Sequence, residues 1–112
     1  MPQAKTNLFE DDLQELSQLF KALGHPARLQ ILKFLSKQNT CFSGDINDIV
    51  PLGRTTVNQH IAELKKAGLI KSSTQGTKTN YCLNNDGISK LNQLGISFLS
   101  EIQCSSCNTN EC

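Results

Sequence analysis

Apolar residues near both ends of the chain recur in steps of three and four, the spacing of a single helical face. The stripe near the start comprises Phe9, Leu13, Leu16, Phe20 and Leu23. The stripe near the end comprises Ile88, Leu91, Gly95, Phe98 and Ile102. Each predicts a helix, with Gly24 ending the first and Asp86 capping the last.

The chain between these stripes predicts three further helices. Pro26 opens the second helix, at a position where its missing N–H costs nothing. We expect the inner side of this helix to consist of Leu29, Ile31, Leu32, Phe34 and Leu35. Ser43 is expected to cap a short third helix that carries Ile46, Ile49 and Val50. Thr55 or Thr56 is expected to cap a fourth helix, which ends at Gly68. The inner face of this helix is expected to carry Val57, Ile61 and Leu64.

The period then changes to that of strands. Residues 69–73 and 77–83 are β-prone, and Thr74-Gln75-Gly76 between them suits a turn, so a hairpin is predicted. The chain is thus mainly α with a small β-hairpin, in the order expected of a winged helix-turn-helix. Residues 1–102 form the predicted DNA-binding and dimerisation domain, and residues 103–112 form a cysteine-rich C-terminal tail. The two terminal stripes suit dimer contacts, because one small core cannot easily use both.

Charge is distributed unevenly, although the formal net charge is only +1. Residues 1–20 carry a net −3, whereas residues 51–80 carry a net +4. A locally basic centre is what a nucleic-acid binder needs. No nucleophile–base pair, phosphate loop or paired carboxylate motif indicates an enzyme, and no apolar run is long enough to cross a membrane.

Two stretches resemble the ArsR/SmtB family of winged-helix transcriptional repressors. Residues 19–32, LFKALGHPARLQIL, are similar to the family signature at the start of the second helix. Residues 54–70, RTTVNQHIAELKKAGLI, resemble its recognition helix and the entry to the wing. The resemblance covers roughly residues 8–102. It implies a homodimer that represses an operon until a metal ion, metalloid or oxidant binds.

The predicted fourth helix is the DNA reader, because such a helix enters the major groove with its N-terminal residues near base edges. Gln59 is the best base reader, since its amide can pair with adenine in two ways. Thr55, Thr56 and Asn58 are candidates for base or phosphate contacts. Arg54 and Lys78 are phosphate candidates, the latter from the wing. His60 lies beside the core face, where a phosphate or packing role suits it better than base readout.

Five cysteines and no secretion signal favour a reducing, cytoplasmic setting. Cys104, Cys107 and Cys112 form a set of three soft thiolates with no nitrogen or carboxylate partner. Trivalent arsenic or antimony prefers three sulfurs, whereas structural zinc usually takes four ligands. Some arsenic-responsive members of the resembled family also carry a C-terminal cysteine cluster. Cys41 and Cys82, each isolated in the sequence, are expected to be small apolar fillers.

The sequence therefore predicts a repressor that binds operator DNA as a homodimer and is released by As(III) or Sb(III). Three alternatives stay open. In the first, the inducer is Zn(II) or Cd(II) instead of arsenic or antimony. In the second, the protein has no effector and binds DNA constitutively, and in the third, the signal is thiol oxidation. The last alternative would join Cys41 to Cys104 or Cys107.

Overall fold

The computed structural model describes residues 9–38 and 41–103, which form four α-helices, one 3-10 helix and three strands. In chain order these elements are α1 (Asp11–Ala22), α2 (Pro26–Ser36), β1 (Phe42–Ser43), the 3-10 helix (Ile46–Asp48), α3 (Arg54–Lys66), β2 (Ile70–Gln75), β3 (Lys78–Leu83) and α4 (Asn85–Ile102). The prediction of a mainly α winged helix-turn-helix is confirmed, with the 3-10 helix and α3 as the helix-turn-helix and β2–β3 as the wing.

Helix starts depend on local capping, and three predicted caps are wrong. The 3-10 helix begins after Asp45, whose side chain accepts the N–H of Asn47, whereas the predicted cap Ser43 lies in β1. Helix α3 follows Gly53 and α4 follows Asn84, neither with a side-chain cap. Thr55, Thr56 and Asp86 instead lie inside the first turns of these helices. Helix α2 does begin at Pro26, as predicted. His25 precedes it, and the His25 side chain accepts a hydrogen bond from the N–H of Ala27 at 3.0 Å.

The three strands form an antiparallel sheet in the order β1-β3-β2. The hairpin β2–β3 pairs six residues on each side, from Ile70 opposite Leu83 to Gln75 opposite Lys78. Strand β1 was not predicted from the sequence. It pairs with the other edge of β3, where Phe42 lies opposite Tyr81 and Ser43 opposite Asn80. This short strand connects the segment that leads into the helix-turn-helix to the wing.

One hydrophobic core joins α1, α2, the 3-10 helix, α3 and the start of the wing. Its largest fully buried side chains are Ile31, Val50, Val57, Leu64 and Leu69. The inward face predicted for α3 is confirmed, because Val57, Ile61 and Leu64 are all buried. In α2 the prediction is partly wrong, since Leu29 is 51% exposed.

The C-terminal end of α3 passes very close to the first turn of α4. Gly68 follows α3 with a φ of +78°, a left-handed conformation that glycine adopts without steric cost. A Cβ placed on Gly87 in α4 would lie 1.8 Å from the carbonyl oxygen of Gly68. Glycine at position 87 therefore lets α4 cross the end of the α3 helix.

Helices α1 and α4 pack together but leave apolar side chains uncovered in this single chain. An ion pair between Lys90 and Glu15 joins them. The exposed apolar residues, called the terminal-helix face below, are Phe9, Leu13 and Phe20 at α1 and Ile96, Leu99 and Ile102 on α4. Among the described helices, none has the length and apolar character needed to cross a membrane.

Candidate nucleic-acid interface

Helix α3 separates a buried apolar face from an exposed polar one. Its buried residues are Val57, His60, Ile61 and Leu64. The exposed residues of its N-terminal half are Arg54, Thr55, Thr56, Asn58 and Gln59. Five of the seven side chains predicted to contact DNA thus lie together on one accessible surface. Hydroxyls, amides and a guanidinium in such an array can donate to phosphate oxygens and base edges.

Arg54 stands at the start of this surface and is already engaged in an ion pair. Its Nη2 donates to Oδ2 of Asp45 at 2.9 Å, and both side chains are partly exposed. The N–H of Asn47 and the Arg54 guanidinium both lower the pKa of Asp45 below its ordinary value, because both favour the carboxylate. Surface pairs of this kind contribute little stability, so a phosphate can replace Asp45 as the partner of Arg54.

The wing brings a second cation to the same side of the molecule. Lys78 is exposed at the first position of β3. A cleft of about 370 Å³ separates the wing from the helix-turn-helix and is lined by Ser43, Gly44, Asp45, Arg54, Thr77, Lys78, Thr79 and Tyr81. Both predicted phosphate contacts therefore border one cleft, as a surface that follows a DNA backbone requires.

His60 differs from the other predicted contacts because it is only 7% exposed. Its Nδ1 accepts a hydrogen bond from Nε of Arg28 at 3.0 Å, and its ring lies 4.2 Å from that of His25, centroid to centroid. Burial, and then the charges of His25 and Arg28, lower the pKa of His60. The sequence left two roles for His60, a phosphate contact or packing, and these contacts correspond to packing.

Arg28 positions α3, a role that the sequence did not reveal. Besides bonding His60, its Nη1 donates to the carbonyls of Lys21 and Ala22, at 3.1 and 3.3 Å, at the end of α1. One guanidinium thus satisfies the last carbonyls of one helix and orients the middle of another. The sequence features that could have indicated this contact are an arginine early in α2 and a histidine beside the core face of α3.

The cysteines divide into a described pair and an undescribed set. Cys41 and Cys82 form a disulfide, so the expectation that they are separate apolar fillers is wrong. Pairing of Cys41 with the tail is likewise not what the structure shows. The predicted ligands Cys104, Cys107 and Cys112 lie outside the described residues. Within residues 9–38 and 41–103, no group of three or more His, Cys, Asp or Glu side chains could hold a metal ion.

Known proteins share this architecture and much of this sequence. Residues 25–72 match the family model described as bacterial regulatory protein, arsR family. The cadmium resistance transcriptional regulatory protein CadC of Listeria innocua is 31% identical over 99 residues, which cover 88% of this chain and 83% of that protein. The arsenical resistance operon repressor of Staphylococcus xylosus is 31% identical over 80 residues, covering 71% of this chain and 76% of that protein.

A solved structure supports the fold independently. An ArsR-like transcriptional regulator from Rhodococcus sp. RHA1 superposes with a TM-score of 0.64 at 23% identity, covering 80% of this chain and 83% of that one. The sequence matches extend over most of the chain and most of the relatives, and those relatives are regulators and not enzymes. The chain therefore belongs to the ArsR family of transcriptional regulators.

Proposed function

We propose that this protein represses transcription in the cytoplasm by binding operator DNA as a homodimer, with α3 in the major groove and the wing on the flanking backbone. The observation that carries the proposal is the accessible polar surface of α3, bordered by Arg54 and Lys78, on a helix whose other face is buried. Gln59 reads a base, Thr55, Thr56 and Asn58 contact bases or phosphates, and the two cations bind phosphates.

A homodimer is supported by the terminal-helix face. Ile96, Leu99 and Ile102 are each more than half exposed in the single chain, although Ile88, Leu91 and Leu94 of the same helix pack against the core. A second copy that covers these side chains would remove them from water. Two-fold symmetry would then present two α3 helices to successive major grooves, so the operator should consist of symmetric half-sites.

We further propose that As(III) or Sb(III) is the inducer and that Cys104, Cys107 and Cys112 bind it. Three thiolates satisfy these trivalent ions without a fourth ligand, and they follow α4 directly in the sequence. Gathering three sulfurs beside the end of α4 would act on the terminal-helix face and so on the relative orientation of the two protomers. Release requires only that free protein bind the inducer more tightly than DNA-bound protein does.

Cadmium is the second candidate inducer, because soft thiolates also bind Cd(II) and a relative of similar identity is named for cadmium resistance. The two candidates differ in the number of ligands they need. Cd(II) or Zn(II) would require a fourth donor besides the three tail cysteines, whereas As(III) would not.

The deciding experiment titrates the protein–operator complex in parallel with As(III), Sb(III), Cd(II), Zn(II) and a peroxide. We expect As(III) and Sb(III) to weaken operator binding by about 5–150-fold, the usual range of coupling between two sites. Replacing all three tail cysteines with serine should preserve operator binding and abolish this release. Release of the triple variant by As(III), or release of the wild type by Cd(II) alone, would contradict the assignment.

A further inference from the structure

Cys41, the residue before β1, lies opposite Cys82 of β3. Extending the register of Phe42 with Tyr81 and of Ser43 with Asn80 by one residue places these two cysteines across from each other. Their Cα atoms are 4.5 Å apart, within the range of about 4.4–6.8 Å that a disulfide bridges. The fold thus brings together two sulfurs that are 41 residues apart in the sequence.

This pair is open to small molecules. Cys41 is exposed and Cys82 half-buried. Both line a cleft of about 270 Å³ between the end of α2 and the wing, together with Leu35, Ser36 and Gln38 from the α2 side. The ring of Phe42, next to Cys41, packs edge-on against Phe34 of α2 at 4.8 Å between centroids. When the sulfur–sulfur bond is open, this ring contact and the two β1–β3 residue pairs keep the separated thiols within reach of each other.

We propose that Cys41 and Cys82 form a reversible thiol–disulfide site, separate from the tail cysteines, through which oxidation weakens operator binding. The inference rests on the proposed repressor function. Disulfides of proteins in reducing compartments are mostly transient and regulatory, which suits an accessible pair that bridges two elements of a DNA-binding unit.

The oxidant is a low-molecular-weight disulfide, and the exchange takes two steps. The Cys41 thiolate attacks one sulfur of the oxidant, breaking its S–S bond and releasing one small thiolate. The Cys82 thiolate then attacks the Cys41 sulfur of the mixed disulfide and releases the second small thiolate. Two electrons pass from the protein to the oxidant, and the two thiol protons end on the two small thiols. A small dithiol reverses both steps.

The disulfide is linked to the DNA-facing surface through the segment that follows β1. Two residue pairs hold β1 to β3 in addition to the disulfide, fewer than an ordinary strand of about five residues would provide. Asp45 comes two residues after this strand and neutralises Arg54. Binding of a phosphate to Arg54 requires the carboxylate to move away. A disulfide that clamps β1 opposes that movement, so the oxidised form should bind DNA more weakly.

The test uses the full chain with its three tail cysteines replaced by serine, which leaves Cys41 and Cys82 as the only thiols. The probe is a duplex selected from random sequence by the reduced protein. Protein is equilibrated with oxidised glutathione or with dithiothreitol, and peptide mapping after alkylation identifies the bond. We expect a Cys41–Cys82 disulfide in the oxidised sample, operator affinity lower by about fivefold or more, and recovery on reduction.

Two controls decide what causes the change. Cys82→Ser and Cys41→Ser in the same background stop at the mixed disulfide with glutathione, so each should lose less affinity for the duplex under oxidation than the protein with both thiols. Asp45→Asn should narrow the difference between the two redox forms, because the clamped carboxylate is gone. No Cys41–Cys82 bond on the map, or equal or tighter binding by the oxidised form, overturns the inference. If the reduced protein selects no duplex, the proposed repressor function fails, whereas the peptide map still reports on the thiol pair.

Discussion

Helices α3 and α4 are both amphipathic, but a single chain satisfies only one of them. In α3 the four residues Val57, His60, Ile61 and Leu64 are buried, and the opposite face is polar apart from Ala62. In α4 only Gly95 is buried, and Ile96, Leu99 and Ile102 are 55–59% exposed. The same helical period therefore describes two different situations. A polar uncovered face suits a hydrated polyanion, whereas an apolar uncovered face suits a second apolar surface.

This difference separates the protein into a region that carries the proposed DNA surface and a region that carries the proposed subunit contacts. The hydrophobic core behind α3 is buried within one chain, and Ile88, Leu91 and Leu94 of α4 pack against it. The second region has an ion pair and shared packing between α1 and α4, but its outer apolar residues have no cover. Perturbing α4 should consequently affect assembly, whereas perturbing α3 should affect DNA recognition.

The largest effect is expected from a charge on the terminal-helix face. Leu99→Glu should weaken dimerisation by about 100-fold or more, because a buried unpaired carboxylate costs about 3–5 kcal/mol. Sedimentation velocity at micromolar concentration measures it. Leu29→Glu is the matched control, since Leu29 of α2 is 51% exposed against 55% for Leu99 and lies off that face. A Leu99→Glu protein that stays dimeric, or equal dissociation by both variants, would show that the face does not mediate assembly.

The junction between the two regions gives the next effect. Gly87→Ala should destabilise the protein by about 1–3 kcal/mol, because its Cβ would meet the Gly68 carbonyl oxygen at 1.8 Å and force α4 away from α3. Gly95→Ala in the same helix is the control. A Cβ there meets nothing within 4 Å, so this variant should gain about 0.5–1 kcal/mol of helix stability. Urea unfolding measures both. Equal effects would mean that α4 does not depend on the close approach.

A change on α3 sharpens the other side of the comparison. Gln59→Ala should cost about 1–3 kcal/mol of operator binding at one base position and relax the preference there. Lys78→Ala should instead weaken binding to all duplexes alike, because a phosphate contact carries no base information. Neither variant should alter dimerisation. Duplexes with single-base changes measure the preferences, and unchanged preferences in Gln59→Ala would remove Gln59 as the base reader.

The sequence predicted the elements better than their ends. Apolar spacing placed the four α-helices and the hairpin, since burial of one face imposes that period. Helix starts were wrong where several capping residues stand close together. Ser43, Asp45, Thr55 and Thr56 can all cap a helix, and only the path of the backbone decides which one does. Strand β1, with two residues, is too short to leave a period at all.

Long-range pairing explains what the sequence could not predict at the site. The polar residues exposed on α3 were predictable, because they alternate with an apolar stripe. The Cys41–Cys82 bond depends on the register between β1 and β3, and the Arg28–His60 bond on how α2 packs against α3. Neither strand register nor helix packing can be deduced from local residue spacing. From the sequence alone both cysteines therefore resemble apolar fillers, and no role is assigned to Arg28.

The smallest effect concerns His60, the buried histidine of α3. Its Nδ1 accepts from Arg28, which places its proton on Nε2, and Nε2 has no hydrogen-bond partner among the described residues. A second proton would have to go on Nδ1, toward the donor N–H of Arg28. Burial and the neighbouring His25 and Arg28 accordingly lower the pKa of His60. The unfolded chain, with an ordinary histidine pKa of about 6.5, binds this proton more readily than the folded protein does.

The sign of the pH dependence follows from that difference. Stability contributed by neutral His60 should be complete above about pH 6.5 and should decline as the pH falls below that value toward the lowered folded pKa. Urea unfolding at several pH values between about 5 and 8 measures the decline. His60→Asn is the matched variant, because its side-chain oxygen can accept from Arg28 but does not titrate, so its stability should change less over this interval. Asp45, whose pKa is also lowered, affects stability only around and below about pH 4, outside this window. An identical slope in wild type and His60→Asn would assign the pH dependence to other groups and leave His60 a packing residue without a titration.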